Sequence, residues 1–325
     1  MTPAVSAGDL TGLLAIIPTP ALPEAHRWDA DATVDLAETS RTVEALLADG
    51  VDGVIALGTT GECPTLPAGE YESLVRCLAE TVDGRVPLFV GATTTGAYDT
   101  YARMDVLRRA GVDGTLLGLP MWQPLTERAA VDYFAQVSHY FPDLAVMVYA
   151  NQRAFRFPFA DATGFWQGVA ASAPTVVAAK CSRPGALSEN RRVTRHRVNF
   201  LPSDMVVTQF RAIGAEETTA FWATAAAMGP QPCLALRDAL AAGDEASLDE
   251  VSSRILWAAE PFIELAKEDE LFASYNVQLE RTRINAAGYC RSGPIRPPYS
   301  HVPDEIAAVA LESARRWRTL VDQFG

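Results

Sequence analysis

Lys180 closes the apolar run Thr175-Val176-Val177-Ala178-Ala179-Lys180, and the chain has only one other lysine, Lys267. Of the 27 lysines plus arginines the other 25 are arginine, so the rest of this positive charge is guanidinium. An arginine keeps its proton and cannot condense with a ketone, whereas a lysine amine can lose its proton and form a Schiff base. Burial disfavours the ammonium form and lowers its pKa from about 10.4, which favours that chemistry. The structural alternative is a lysine that snorkels from a strand end into solvent or pairs with a carboxylate.

Three other strand-like runs end in residues able to serve such an amine. Gly58-Thr59-Thr60-Gly61-Glu62 is a glycine-flanked turn leading toward a helix. Its backbone N–H groups and the hydroxyls of Thr59 and Thr60 suit a small carboxylate, or equally the capping of an ordinary strand-to-helix turn. Gly118-Leu119-Pro120-Met121-Trp122 places the Trp122 ring after a strand, as a platform for a substrate or as a core or interface residue. In Val148-Tyr149-Ala150-Asn151, strand parity puts Tyr149 and Asn151 on one face. A tyrosine there packs with its hydroxyl satisfied or, beside an amine nucleophile, moves protons.

The elements that must position these groups alternate along the chain. Short apolar runs predict strands near 13–19, 53–58, 87–92, 114–119, 144–150, 175–181, 198–202 and 218–223. Amphipathic segments predict helices near 33–49, 67–82, 97–110, 126–140, 160–172, 185–196 and 205–213. Eight strands in this rhythm predict an α/β fold, a closed (β/α)8 TIM barrel whose functional side chains sit at the C-terminal strand ends. Gly50-Val51-Asp52-Gly53 recurs as Gly111-Val112-Asp113-Gly114, two βα units later, at helix-to-strand joints where the first glycine suits a left-handed C-cap. Beyond the eighth strand the sequence predicts helices at 233–243, 246–268, 271–287 and 304–323, with Gly293 to Tyr299 as a proline-rich extended connector. The expected organisation is a barrel over 1–232 and a C-terminal helical extension over 233–325 packed on it.

Composition narrows the function classes. A formal net charge of −13 disfavours nucleic acid and anionic membrane surfaces as partners. The apolar runs are too short and interrupted for a membrane span, and Met1 to Gly12 does not read as a secretory signal. Five cysteines without a CxxC pair suit a reducing cytoplasm. The four histidines show no metal-ligand spacing, so no metal site is expected.

The Thr59-Thr60-Gly61-Glu62 turn, Tyr149 and Lys180 together resemble the pyruvate-dependent class I aldolases of the dihydrodipicolinate synthase and N-acetylneuraminate lyase superfamily. The resemblance runs from about Gly12 to the last helix. Leu119-Pro120-Met121-Trp122, Tyr149-Ala150-Asn151, Phe221-Trp222, Tyr275-Asn276 and Arg296-Pro297-Pro298-Tyr299 are similar to one branch of it. That branch holds the trans-o-hydroxybenzylidenepyruvate and trans-2'-carboxybenzalpyruvate hydratase-aldolases. The chain departs from the dihydrodipicolinate synthases at Ala154, where they carry an arginine. It departs from the branch at Ser203, where a histidine follows Leu-Pro and precedes the acid that here is Asp204.

The resemblance implies a mechanism without a cofactor. Lys180 attacks the ketone of an arylidene-pyruvate whose carboxylate is held by Thr59 and Thr60. Water adds at the aryl-bearing carbon, and retro-aldol cleavage releases an aromatic aldehyde and pyruvate. Tyr149 shuttles protons, Asn151 and Asn276 position the water or carbinol hydroxyl, and Trp122 stacks on the ring. It further implies a homo-oligomer, a tetramer. Two rival functions stay open at this level: a lyase for an aliphatic or sugar-derived 2-keto acid, and a barrel that binds a keto acid without turning it over. Borohydride reduction in the presence of pyruvate should add mass to the peptide holding Lys180. Mass on the Lys267 peptide, or on neither, would exclude the Schiff-base reading.

Overall fold

The computed structural model describes residues 3–325; Met1 and Thr2, which open the N-terminal stretch read above, lie outside the described residues. Eight parallel strands alternate with helices: β1 (Gly12–Ile16), α1 (Leu36–Asp49), β2 (Gly53–Ala56), α2 (Ala68–Val82), β3 (Leu88–Val90), α3 (Ala97–Ala110), β4 (Gly114–Leu117) and α4 (Glu127–Tyr140). They continue as β5 (Ala145–Tyr149), α5 (Gln152–Phe155), α6 (Thr163–Ser172), β6 (Val176–Lys180), α7 (Leu187–Val193), β7 (Asn199–Leu201), α8 (Val207–Ile213) and β8 (Ala220–Ala223). Neighbours pair in chain order from β1 to β7, and β8 pairs with β1. The residues after β7 complete the ring: Ser203 bridges Trp222, and Trp222 N–H donates to the Pro202 carbonyl at 2.9 Å. The result is a TIM barrel followed by α9 (Gln231–Ala242), α10 (Glu245–Ala266), α11 (Asp269–Ala287) and α12 (Asp304–Phe324).

Strand parity divides the core in two. Leu14, Ile16, Ile55, Phe89, Leu116, Met147, Ala178, Leu201 and Trp222 fill the barrel interior, while the alternate residues pack outward against the helices. Val5 and Leu10 join the interior cluster from the N-terminal segment. Helix α9 packs on β1, and α12 lies against both α10 and α11.

The repeated joint has a specific physical task. Gly50 and Gly111 both take the left-handed C-cap conformation, at φ of 93° and 74°. Two residues on, each aspartate reaches a neighbouring strand: Asp52 accepts from Leu13 N–H at 2.8 Å and Asp113 from Leu88 N–H at 2.9 Å. Each carboxylate thus satisfies an amide at the start of a strand, where the ladder supplies no acceptor.

Several element boundaries fall a few residues inside the sequence expectation, and one short helix was not expected. The first strand stops at Ile16, short of residue 19, because Pro18 and Pro20 have no N–H to add to a ladder. The first helix begins at Leu36, where Asp35 caps it by accepting from Glu38 N–H. The short helix α5, absent from the expected elements, is nucleated by Asn151, whose side chain accepts from Ala154 N–H at 3.0 Å. The joint yields a stability prediction. Asp113→Ala should cost about 1–3 kcal/mol in urea unfolding by stranding the Leu88 amide, and Asp113→Asn should recover most of it. A loss under about 0.5 kcal/mol would show that water replaces the carboxylate.

Candidate active site

Register brings the nucleophile and its neighbour together. β5 and β6 start with Val146 opposite Val176, then shift so that Met147 faces Ala178 and Tyr149 faces Lys180. Without that one-residue shift Tyr149 would pair with Ala179, which points the other way. Lys180 is buried, with Nζ 3.4 Å from the centroid of the Trp222 ring and 4.7 Å from that of Tyr149. Trp222 is itself anchored, its indole N–H donating to the Cys181 carbonyl at 2.9 Å. Two aromatic faces therefore desolvate the amine.

The Tyr149 hydroxyl is held from two sides. It hydrogen-bonds the Thr59 hydroxyl at 2.8 Å and accepts from the Asn151 amide at 3.2 Å. Burial lowers the pKa of Lys180, against the opposing influence of Tyr149, Glu280 and Asp204. For Tyr149, burial raises the phenol, but the Lys180 charge and the hydrogen bonds from Thr59 and Asn151 outweigh it and the net direction is down. A weakened base next to a strengthened acid is the arrangement that lets one proton move between them. Lys267, in contrast, is exposed and paired with Glu264 at 2.6 Å.

The turn bearing Thr59 and the buried Thr60 is fixed from beneath. Glu62 stands at φ 53° with a fully buried carboxylate between Arg281 at 3.2 Å and Arg296 at 2.8 Å. Both guanidiniums also donate to the Thr19 carbonyl, and the Thr19 hydroxyl donates to the Gly61 carbonyl at 2.8 Å. Gly61 is required here: a Cβ would lie 2.7 Å from the Leu57 backbone. The cluster ties the β2 turn to α11 and to the extended connector.

Not every residue singled out in the sequence joins this group. Asn276 is half-buried on α11, one helical turn before Glu280. Trp122 is 80% exposed on the loop after β4, its carbonyl accepting from Arg156 at 3.4 Å, and its ring stacks on no other aromatic ring among the described residues. The aromatic ring against the amine is Trp222, noted in the sequence only as part of the Phe221-Trp222 pair. Also missed were Glu280 and Arg283, buried on α11 with Arg283 Nε donating to Glu280 at 2.8 Å. The available signal was a helix, Gln278-Leu279-Glu280-Arg281-Thr282-Arg283-Ile284, with too many charges to turn all of them to solvent. Among the described residues no three His, Cys, Asp or Glu side chains cluster so as to hold a metal ion.

Residues 16–155 match the Dihydrodipicolinate synthetase family. The chain is 37% identical to the trans-O-hydroxybenzylidenepyruvate hydratase-aldolase of Pseudomonas aeruginosa over 323 residues, covering 98% of this chain and 95% of that one. It is 36% identical to the trans-2'-carboxybenzalpyruvate hydratase-aldolase of Nocardioides sp. (strain KP7), covering 99% and 97%. The solved structure of PhdJ bound to substrate intermediate superposes with a TM-score of 0.94 at 33% identity, over 99% of this chain and all of that one. The chain belongs to the dihydrodipicolinate synthetase family, in its hydratase-aldolase branch, and is a carbon–carbon lyase.

One buried acid in the site carries a measurable signature. Burial pushes the Asp204 carboxyl up to about 7, with Arg283 opposing and Glu280 adding to the rise. A carboxyl raised on folding contributes stability that is complete below the unfolded pKa and lost as pH rises through the folded one. Between about pH 4 and about pH 7, Asp204→Asn should therefore gain on the wild type in unfolding free energy, by about 1.4 kcal/mol per pKa unit, with the gap level above about pH 8. A gap that stays constant with pH would show that Asp204 titrates like an exposed aspartate.

Proposed function

We propose that this protein is a Schiff-base-forming, metal-independent hydratase-aldolase that hydrates an arylidene-pyruvate and cleaves it to an aromatic aldehyde and pyruvate. The observation that carries the reading is the Lys180 amine, buried between the Trp222 and Tyr149 rings, with the Tyr149 hydroxyl held by Thr59 and Asn151. The relatives named above act, by their names, on substrates of this class.

The steps follow from that geometry. The neutral amine attacks the C2 ketone, water leaves, and an iminium forms while the Thr59–Thr60 turn holds the C1 carboxylate. The iminium withdraws electrons through the C3–C4 double bond. Water adds at C4, which bears the ring, and a proton is taken up at C3. The C4 hydroxyl then gives up its proton, the C3–C4 bond breaks, and its electron pair passes into the iminium as an enamine. Aromatic aldehyde departs; protonation at C3 and hydrolysis free pyruvate and restore the amine. In this reading Tyr149 carries these protons and Asn151, bonded to its hydroxyl, orients the water or the carbinol, with Asn276 a further candidate from α11. The ring-facing role falls to Trp222, which already lines the amine, with Trp122 at the rim.

In this reading the barrel, 1–232, supplies the lysine, and the C-terminal segment, 233–325, walls the site through α11. We further propose a homo-oligomer, a tetramer in the family's manner, for which the exposed rings of Trp28, Tyr98 and Trp122 offer apolar surface. No described helix is long and apolar enough to cross a membrane. The five free thiols suit work in the cytoplasm. Activity is followed by loss of the conjugated enone absorbance. Tyr149→Phe should still trap pyruvate under borohydride yet lose about 10²–10⁴-fold in turnover. A Phe variant near wild-type rate would return Tyr149 to a packing role.

A further inference from the structure

Tyr149 is gripped at two points by one short element, α5. That helix starts after Asn151, whose amide donates to the Tyr149 hydroxyl at 3.2 Å. It ends at Phe155, whose ring meets that of Tyr149 edge-on, with centroids 5.6 Å apart and planes at 75°. One helical turn is too short to hold its own geometry in water. Capping by the Asn151 side chain fixes one end of α5, and burial of Phe155 fixes the other.

Phe155 fills a gap that exists only because residue 118, at the exit of β4, is glycine. A Cβ on Gly118 would lie 1.9 Å from Phe155 Cζ, 2.4 Å from Cε2 and 2.5 Å from Cε1. Gly118 is not among the glycines with positive φ, so the ring of Phe155 calls for glycine there and the backbone conformation does not. Phe155 is also enclosed: Phe159 meets it edge-on at 6.3 Å and is itself packed against Phe157 and Phe165. Tyr149 in turn runs past Gly58, where a Cβ would stand 4.0 Å from its Cε1. Protein interiors are close-packed, so a methyl group added at 118 displaces Phe155, and Phe155 touches Tyr149.

We propose that Phe155, seated against Gly118, is a positioning residue of the reaction, setting the Tyr149 ring so that its hydroxyl meets Thr59 and Asn151 beside the Lys180 amine. The inference rests on the reading of Tyr149 as the proton carrier and adds what aims it. The two bonds to the hydroxyl, at 2.8 Å and 3.2 Å, come from different segments, β2's turn and the α5 cap. A shift of the ring therefore lengthens or bends at least one of them, and such bonds weaken steeply with distance and angle.

The test follows loss of the benzylidenepyruvate enone and borohydride trapping of pyruvate, both on the full chain. Gly118→Ala should lower kcat by about tenfold or more, with pyruvate still trapped on Lys180. Shortening the displaced ring should undo part of the loss, so Gly118→Ala with Phe155→Leu should turn over several-fold faster than Gly118→Ala alone. In a Tyr149→Phe background Gly118→Ala should cost nothing further, because changes that act through one hydroxyl do not add. A folded Gly118→Ala enzyme within about twofold of the wild type overturns the inference. So does a loss that persists in the Tyr149→Phe background or that Phe155→Leu does not relieve. If Gly118→Ala does not fold, Phe155→Leu alone decides: it should lose several-fold in kcat with trapping intact, and a wild-type rate overturns the inference. A slow Tyr149→Phe enzyme beside a fast Gly118→Ala one sinks the positioning role and leaves the proton carrier standing. A Tyr149→Phe enzyme near wild-type rate removes both.

Discussion

The Glu62 carboxylate, buried between Arg281 and Arg296, is the constraint on which the site depends. It sits at the bend of the β2 turn in a left-handed conformation that a glutamate adopts only under compulsion. Arg281 comes from α11 and Arg296 from the connector after it, so three distant segments meet at one charge. Burial pulls the Arg281 guanidinium down to about 10, with Glu62 opposing. Two cations against one anion are tolerated because backbone carbonyls take up most of the other donors, Thr19, Ser292 and Pro294 for Arg281 and Thr19, Pro20 and Thr33 for Arg296, while Arg281 Nε is left without a partner. Removing one partner of such a cluster leaves a buried charge uncompensated, at a cost of about 3–5 kcal/mol.

What the cluster secures is a short chain of contacts. The turn holds Thr59 against the Tyr149 hydroxyl, Tyr149 faces Lys180 across two strands, and Trp222 covers the amine from the strand beyond β7. The amine is desolvated by aromatic surface, and beside it stands a phenol that the Lys180 charge and two hydrogen bonds favour in its anionic form. This division suits the roles proposed for the two groups, a neutral amine and a proton carrier. The shift in the β5–β6 register is what makes the two meet.

The barrel was legible because its signals are local. Eight apolar runs, the intervening helices and the Gly-Val-Asp-Gly joint follow from residue size, period and the φ preference of glycine. So does the turn of two threonines and the parity that puts Tyr149 with Asn151. The residues that escaped sequence reasoning are those whose environment is made by distant chain. Trp222 reads as one more core aromatic until β8 closes beside β7. Glu280 and Arg283 read as the solvated face of a helix until α11 is laid against the barrel. Trp122, placed after β4 like a platform, ends on the rim with 80% of its surface exposed.

By itself the sequence determined the fold class and the strand on which the lysine lies, and it narrowed the chemistry open to that lysine to what an amine, unlike a guanidinium, can do. These rest on backbone periodicity and on the difference between an amine and a guanidinium, which no folding step alters. Tertiary structure decided which aromatic ring covers the amine, which acids border it and which charges pair underground beneath the turn. Those are properties of desolvation and of distance between segments remote in sequence, from Glu62 to Arg296 and from Lys180 to Trp222. A residue's charge is written in its type, but the solvent it loses and the neighbour it gains exist only once the chain has closed on itself.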